Sequence, residues 1–240
     1  RIFPLRETLK KCWTSHLIVV NVPAKWRHDL KTPNAFPHNK TKTMDKVVDY
    51  INVTNVIPPQ MCEEVLKDIQ AKEWTKHSWY AYSGNDYSSK PDKELDVLSA
   101  TQELHDALSP YVFQALQAYM LKYVPQEDER IKGFIKTFTP IRFNRYSTGT
   151  MMREHYDHIH SLFDGQRKGI PILSILGVLN EGYEGGEFVF FQDYEVPLKA
   201  GDIMVFPSNF MYPHAVKELT KGERFTFVSW AFWYVFEKNP

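Results

Sequence analysis

Phe134-Ile135-Lys136-Thr137-Phe138-Thr139-Pro140-Ile141-Arg142-Phe143-Asn144-Arg145-Tyr146 is where the texture of the chain changes. Beyond it come further β-rich runs at 170–179, 187–191, 203–206 and 223–233, each dense in β-branched and aromatic residues and bounded by Gly, Pro or Asn. No helical pattern separates them. Short strands in succession without intervening helices argue for an antiparallel sandwich or jelly roll, expected here over residues 133–235.

Upstream, residues 46–132 read as helical support. Val47 to Val56 is predicted as a strand ended by Ile57-Pro58-Pro59. A helix follows to about Lys72, with proline in its first turn and Met61, Val65, Leu66 and Ile69 at helical spacing. Trp74 to Tyr82 reads as a strand and Ser83 to Ser89 as a polar, turn-rich loop, either a lid over a site or plain surface. A second helical stretch is expected from Pro91 to Tyr123, broken near Ser109-Pro110, with Leu104, Leu108, Val112, Ala115, Leu116 and Tyr119 as its apolar stripe. The fold class is therefore α+β: a double-stranded β-helix with N-terminal helices packed on it. Residues 1–45, with four prolines and Trp13 and Trp26 as anchors, are expected to be an extended arm, leaving 46–240 as a single domain.

Composition excludes little but points away from two classes. At 240 residues, 43% hydrophobic and 24% charged, the chain has ordinary globular values, and no apolar run approaches the roughly 18 residues needed to cross a bilayer. Net charge is zero, yet residues 1–45 carry nine Lys/Arg against three Asp/Glu. That arm reads as a solvated segment docking on the mildly acidic remainder, or as a contact for a polyanion. With no basic stripe in the β-rich half, a nucleic-acid substrate is disfavoured. Cys12 and Cys62 lack metal spacing and offer no disulfide framework, which suits a reducing, cytoplasmic setting. Leu17 to Val20 is too weak for a signal segment.

The chemistry concentrates between Arg145 and Trp230. His155-x-Asp157 begins six residues past Gly149, and His214 lies far downstream. Two His and one carboxylate can hold an octahedral Fe(II) on one face and leave three positions open. A single His-x-Asp pair is weak evidence, since a lone His is more often a satisfied core or surface residue. Its place just beyond a β-run strengthens it, because side chains at i and i+2 of a strand end point to one side. Arg224, ten residues past His214, sits in a strand, where a buried guanidinium needs a carboxylate partner. A dicarboxylic acid chelating iron at one end would supply it, and the Tyr146 hydroxyl could donate to the same group. Taken singly, a surface ion pair would be the better explanation of Arg224 and a core position that of Tyr146.

In order and spacing, Tyr146-x-x-Gly149-x5-His155-x-Asp157, Glu184-Gly185-Gly186-Glu187-Phe188, Lys199 to Ser208, His214-x-Val216 and Lys221-Gly222-Glu223-Arg224 with Trp230 resemble the iron- and 2-oxoglutarate-dependent dioxygenases of the prolyl 4-hydroxylase-like branch. The resemblance implies Fe(II) on His155, Asp157 and His214, with these and Arg224 as the catalytic set. It also implies 2-oxoglutarate on Tyr146 and Arg224, Ser174 near the cosubstrate, Trp230 lining the pocket, O2 as oxidant and ascorbate as a candidate reductant. Arg224 stands where many collagen-type enzymes have Lys, and Met152 where the family often has Tyr. His158 and His160 follow the carboxylate as loop residues or substrate contacts. The expected reaction is hydroxylation of a peptidyl proline with release of succinate and CO2. Hydroxylation of a free amino acid or small metabolite, or a non-catalytic metal-binding jelly roll, are the alternatives. Arg145, Arg153, Tyr183 and the loop Tyr80 to Tyr87 are the candidate substrate-facing residues.

Overall fold

The computed structural model describes residues 47–81, 86–88, 93–124, 135–157 and 170–233, all within the compact unit 44–240. The arm 1–45, with Trp13, Trp26 and Cys12, and the pair His158 and His160 lie outside the described residues. In chain order the elements are β1 (Asn52–Asn55), α1 (Pro59–Gln70), β2 (Thr75–Lys76), β3 (Trp79–Ala81), β4 (Asp86–Ser88), β5 (Asp96–Ser99), α2 (Gln102–Tyr123), β6 (Ile135–Phe138), β7 (Arg142–Ser147), β8 (Met152–His155), β9 (Ile170–Val178), β10 (Glu184–Gly185), β11 (Phe188–Phe190), β12 (Tyr194–Val196), β13 (Asp202–Pro207), β14 (His214–Val216), β15 (Leu219–Lys221) and β16 (Glu223–Trp233).

Two antiparallel sheets build the jelly roll. The larger runs β1-β13-β9-β16-β7-β5-β2, with β6 also on β16, and the smaller runs β12-β11-β14-β8. Alternation along β16 shows how the layers separate. Phe225, Phe227 and Ala231 pack toward the helices with Val65 and Ile69 of α1 and Leu108, Val112 and Leu116 of α2. Arg224, Thr226, Val228 and Trp230 occupy the alternate positions, on the face turned to the smaller sheet. There Tyr146, Leu176, Val178, Met204 and Phe206 meet Met152, Phe188, Phe190 and Val216 in a second core. Gly177 makes the central crossing possible: a Cβ there would lie 2.1 Å from the Phe227 ring.

Several sequence expectations are corrected. The strand predicted from Val47 to Val56 shrinks to β1, because Val47 to Ile51 turns back on itself, Ile51 N–H donating to Val48 O at 2.9 Å. Trp74 to Tyr82 splits into β2 and β3. The predicted open loop instead contains β4, paired with β3 so that Tyr80 stands opposite Tyr87. The second helix starts only at Gln102, because β5 joins the large sheet beside β7, and it does not break at Pro110. Its buried stripe of Leu104, Leu108, Val112, Ala115, Leu116 and Tyr119 carries it through the missing N–H. At the preceding residue the Ser109 hydroxyl donates to His105 O at 2.7 Å. The run Phe134 to Tyr146 divides into β6 and β7 around Thr139-Pro140, where proline cannot donate to a ladder.

Candidate active site

β8 and β14 are antiparallel neighbours with His155 directly opposite His214. That register sets the two rings 4.4 Å apart, centroid to centroid. Asp157, just past the end of β8, turns to the same side. Its Oδ1 lies 3.8 Å from His155 Nε2 and 3.9 Å from His214 Nε2. The three ligand-type atoms all fall within 4.8 Å of one another, the one such His/Cys/Asp/Glu cluster among the described residues.

The surroundings orient each group. His155 Nδ1–H donates to Arg153 O at 2.9 Å and His214 Nδ1–H to Tyr212 O at 3.0 Å, so both Nε2 lone pairs are left toward Asp157, the arrangement metal-binding imidazoles require. Phe188 stacks on His214 at 5.3 Å and 15°, with Phe206 edge-on at 5.1 Å. Ser174 Oγ donates a short hydrogen bond to Asp157 Oδ2. Burial, and next the neighbouring His214, push the His155 imidazole down to about 4, so it is neutral at ordinary pH. Burial works to raise the Asp157 carboxyl, but His214, His155, Ser174 and Trp230 together hold it below its usual value. Although Trp230 faces this carboxylate, its indole N–H is buried without a hydrogen bond of normal geometry.

The triad lines a pocket of about 40 Å³ shared with Tyr146, Met152, Ser174 and Trp230. Arg224 is fully buried. Its guanidinium lies 5.2 Å from the Tyr146 ring centroid, its Nε donates to Tyr183 Oη at 3.3 Å, and its Nη1 has no partner. It does not line the triad pocket itself, which it approaches through Tyr146, but borders a second cavity of about 380 Å³ with Tyr183, Glu187 and Glu195. Asn144 Oδ1 and Thr226 Oγ1 are likewise buried without partners. Buried polar atoms in a protein interior are nearly always paired. The donors among them, Arg224 Nη1 and the Thr226 hydroxyl, fit an acidic, oxygen-rich guest, whereas Asn144 Oδ1 accepts and calls for a donor.

Not every candidate residue reaches the site. Arg145 faces the other side of β7, with its guanidinium on Asp96 at 2.9 Å and 4.9 Å from the Trp74 ring. Tyr183 serves Arg224 rather than the triad pocket, Arg153 is exposed, and the side chains of Tyr80 to Tyr87 lie outside the described residues. Ser174 contacts the Asp157 carboxylate. The sequence reading missed Arg142 and Asn144, which line the triad pocket, and Thr226. The signal was there in principle: polar residues at alternate positions of apolar strands, in step with Tyr146 and Arg224.

Residues 141–232 match the family model of the 2OG-Fe(II) oxygenase superfamily. The matched stretch includes His155, Asp157, His214 and Arg224, and the family is described by its use of Fe(II) and 2-oxoglutarate. Among relatives, a PKHD-type hydroxylase of Stenotrophomonas maltophilia is 36% identical over 99 residues, 39% of this chain and 43% of that protein. A PKHD-type hydroxylase of Janthinobacterium is 28% identical over 199 residues, covering 75% of this chain and 76% of its own. The fold is shared with a Pseudomonas putida prolyl-4-hydroxylase (TM-score 0.54, 18% identity, 79% of this chain and 98% of that one). It is shared also with a Trichoplax adhaerens prolyl hydroxylase in complex with a hypoxia-inducible-factor peptide (TM-score 0.56, 14% identity, 80% and 89%). No described helix is long and apolar enough to cross a membrane.

Proposed function

We propose that the chain hydroxylates a C–H bond of a peptidyl proline, with 2-oxoglutarate converted to succinate and CO2. The observation that carries the oxygenase chemistry is the convergence of His155 Nε2, His214 Nε2 and an Asp157 oxygen within 4.8 Å. Hydroxylation is supported by the names of the relatives, PKHD-type hydroxylases, and proline by the names of proteins that share the fold, prolyl hydroxylases.

In this reading His155, Asp157 and His214 hold Fe(II). Bound Fe(II), 2-oxoglutarate and O2 together supply the oxidant, one oxygen atom entering the substrate C–H bond and the other entering succinate. Ascorbate serves as reductant. The chain's own residues orient and shield. Backbone carbonyls of Arg153 and Tyr212 fix both imidazoles, and Ser174 holds one Asp157 oxygen so that the other faces the imidazoles. Arg224 and Tyr146 take the distal carboxylate of 2-oxoglutarate, which supplies the anion that the buried Arg224 Nη1 lacks. Phe188, Phe206 and Trp230 keep water from the reacting carbon. The unit responsible is the single domain 46–240, with 46–132 as support and 133–235 as the jelly-roll core.

Adding Fe(II) and 2-oxoglutarate without oxygen tests the site through its visible metal-to-ligand charge-transfer band. The band is expected in wild type, absent in His214→Ala, and shifted to higher 2-oxoglutarate concentration in Arg224→Ala. No band in metal-loaded wild type sinks the reading and favours a non-catalytic module. Mass spectrometry then compares proline-containing peptides with free amino acids. A single added oxygen appearing only on free amino acids rejects the peptidyl assignment.

A further inference from the structure

A second guanidinium enters the jelly roll, and the proposed function leaves it unused. Arg142 shares its strand face with Asn144 and Tyr146 and lines the same small pocket as His155, Asp157 and His214. It is partly buried, with its Nε–H fully enclosed and lacking a hydrogen-bond partner. Among the described residues no carboxylate forms an ion pair with it. Its guanidinium lies 5.8 Å from the centroid of Trp230, the indole that also faces Asp157.

Arginine does not shed its proton to relieve such a position, so the charge needs an anion. Burial opposes the charge and the Asp157 carboxylate favours it, but Asp157 is committed to the metal in the reading above. Fe(II), Asp157, Arg224 and the two carboxylates of 2-oxoglutarate together sum to neutrality. Among the described residues Arg142 is then the one positive charge of the pocket without a counterpart, and it lies on the Trp230 side, four residues along its strand from Tyr146, which stands opposite Arg224.

We propose that Arg142 anchors a carboxylate of the molecule that is oxidised, so the substrate is an acid. Because Arg142 and the triad share a space of about 40 Å³, the carboxylate belongs to the same residue as the reacting carbon or to the next one. The planar guanidinium, lying against an aromatic ring, is suited to a bidentate carboxylate and gives no equivalent pairing to an amide. Two sources present this chemistry: the α-carboxylate of a free amino acid and an acidic side chain beside a peptidyl proline. The inference rests on the dioxygenase reading and narrows its substrate.

The test is calorimetric titration, under argon, of the full chain loaded with Mn(II) and 2-oxoglutarate, using acid and amide pairs. L-proline is compared with L-prolinamide, and an end-blocked Gly-Pro-Glu peptide with its Gly-Pro-Gln counterpart. In at least one pair the acid is expected to bind wild type about tenfold more tightly, the size of one charge-assisted hydrogen-bonded pair. Discrimination should vanish in Arg142→Gln and return in part in Arg142→Lys, and the pair that discriminates identifies the source of the carboxylate. Equal affinities within both pairs, or no binding by either acid, overturns the proposal from wild type alone, whatever the variants do. A rise of about tenfold or more in the 2-oxoglutarate midpoint of the charge-transfer band in Arg142→Gln also overturns it, by making Arg142 part of the cosubstrate clamp. A missing band in wild type removes the dioxygenase reading itself, a different failure from a normal band without acid preference.

Discussion

His155 links site chemistry to stability. Burial and the neighbouring His214 bring its folded-state pKa to about 4, against 6.5 for an ordinary imidazole. Between those values the unfolded chain binds the proton and the folded one does not, so stability rises with pH across that window. The full contribution is present above about pH 6.5 and declines as pH falls toward 4. Asp157, whose folded pKa is depressed, adds a loss of the same sign in more acidic solution. In chelator-treated protein, the urea midpoint of wild type should therefore fall between pH 6.5 and 4, and His155→Gln should flatten that fall. Parallel profiles for the two proteins would show that the imidazole is not held neutral. At this scale the pairing of His155 with Asp157 was legible because an i, i+2 spacing is a local property, while His214 came from the order and spacing of the motifs around it. Arg142 was not, because which face of a strand looks inward depends on what covers it.

Among the elements, β16 decides most. It pairs with β7 and β9 along its length, carrying the helix-facing core on one side and Arg224 through Trp230 on the other. Gly177 on β9 admits Phe227 into that crossing. Gly177→Ala should destabilise the fold by about 1–3 kcal/mol, the usual cost of overpacking a filled core, read as a lowered urea midpoint with an unchanged slope. A neutral outcome would mean that the Phe227 ring has room to move. Long β-runs such as 170–179 and 223–233 were readable, since each has a dense β pattern over many residues. The short elements β10, β12, β14 and β15 were not, because two or three residues show no period. Pro110 and residues 86–88 misled in opposite directions: tertiary packing carried a helix through a breaker, and a piece of a turn-rich segment pairs as a strand, β4 on β3.

For the molecule as a whole, two cores share one sheet, and their failures should be separable. Leu108→Ala, between α2 and the sheet, should cost about 2–5 kcal/mol while leaving Mn(II) affinity unchanged. Phe188→Ala, in the inter-sheet core, should reduce both stability and Mn(II) affinity, because its ring stacks on His214. Thermal unfolding and metal titration on both variants would check this, and equal loss of metal affinity would mean that the two cores act as one. The sequence by itself determined the class: the order of β-runs, the ligand types and their spacing are written in local pattern and chemistry. Only the tertiary structure decided that His155 stands opposite His214, that Arg145 turns outward to Asp96 while Arg142 turns inward, and that Ser174 meets Asp157. Those outcomes depend on strand register and sheet facing, which arise from contacts between residues far apart in the chain.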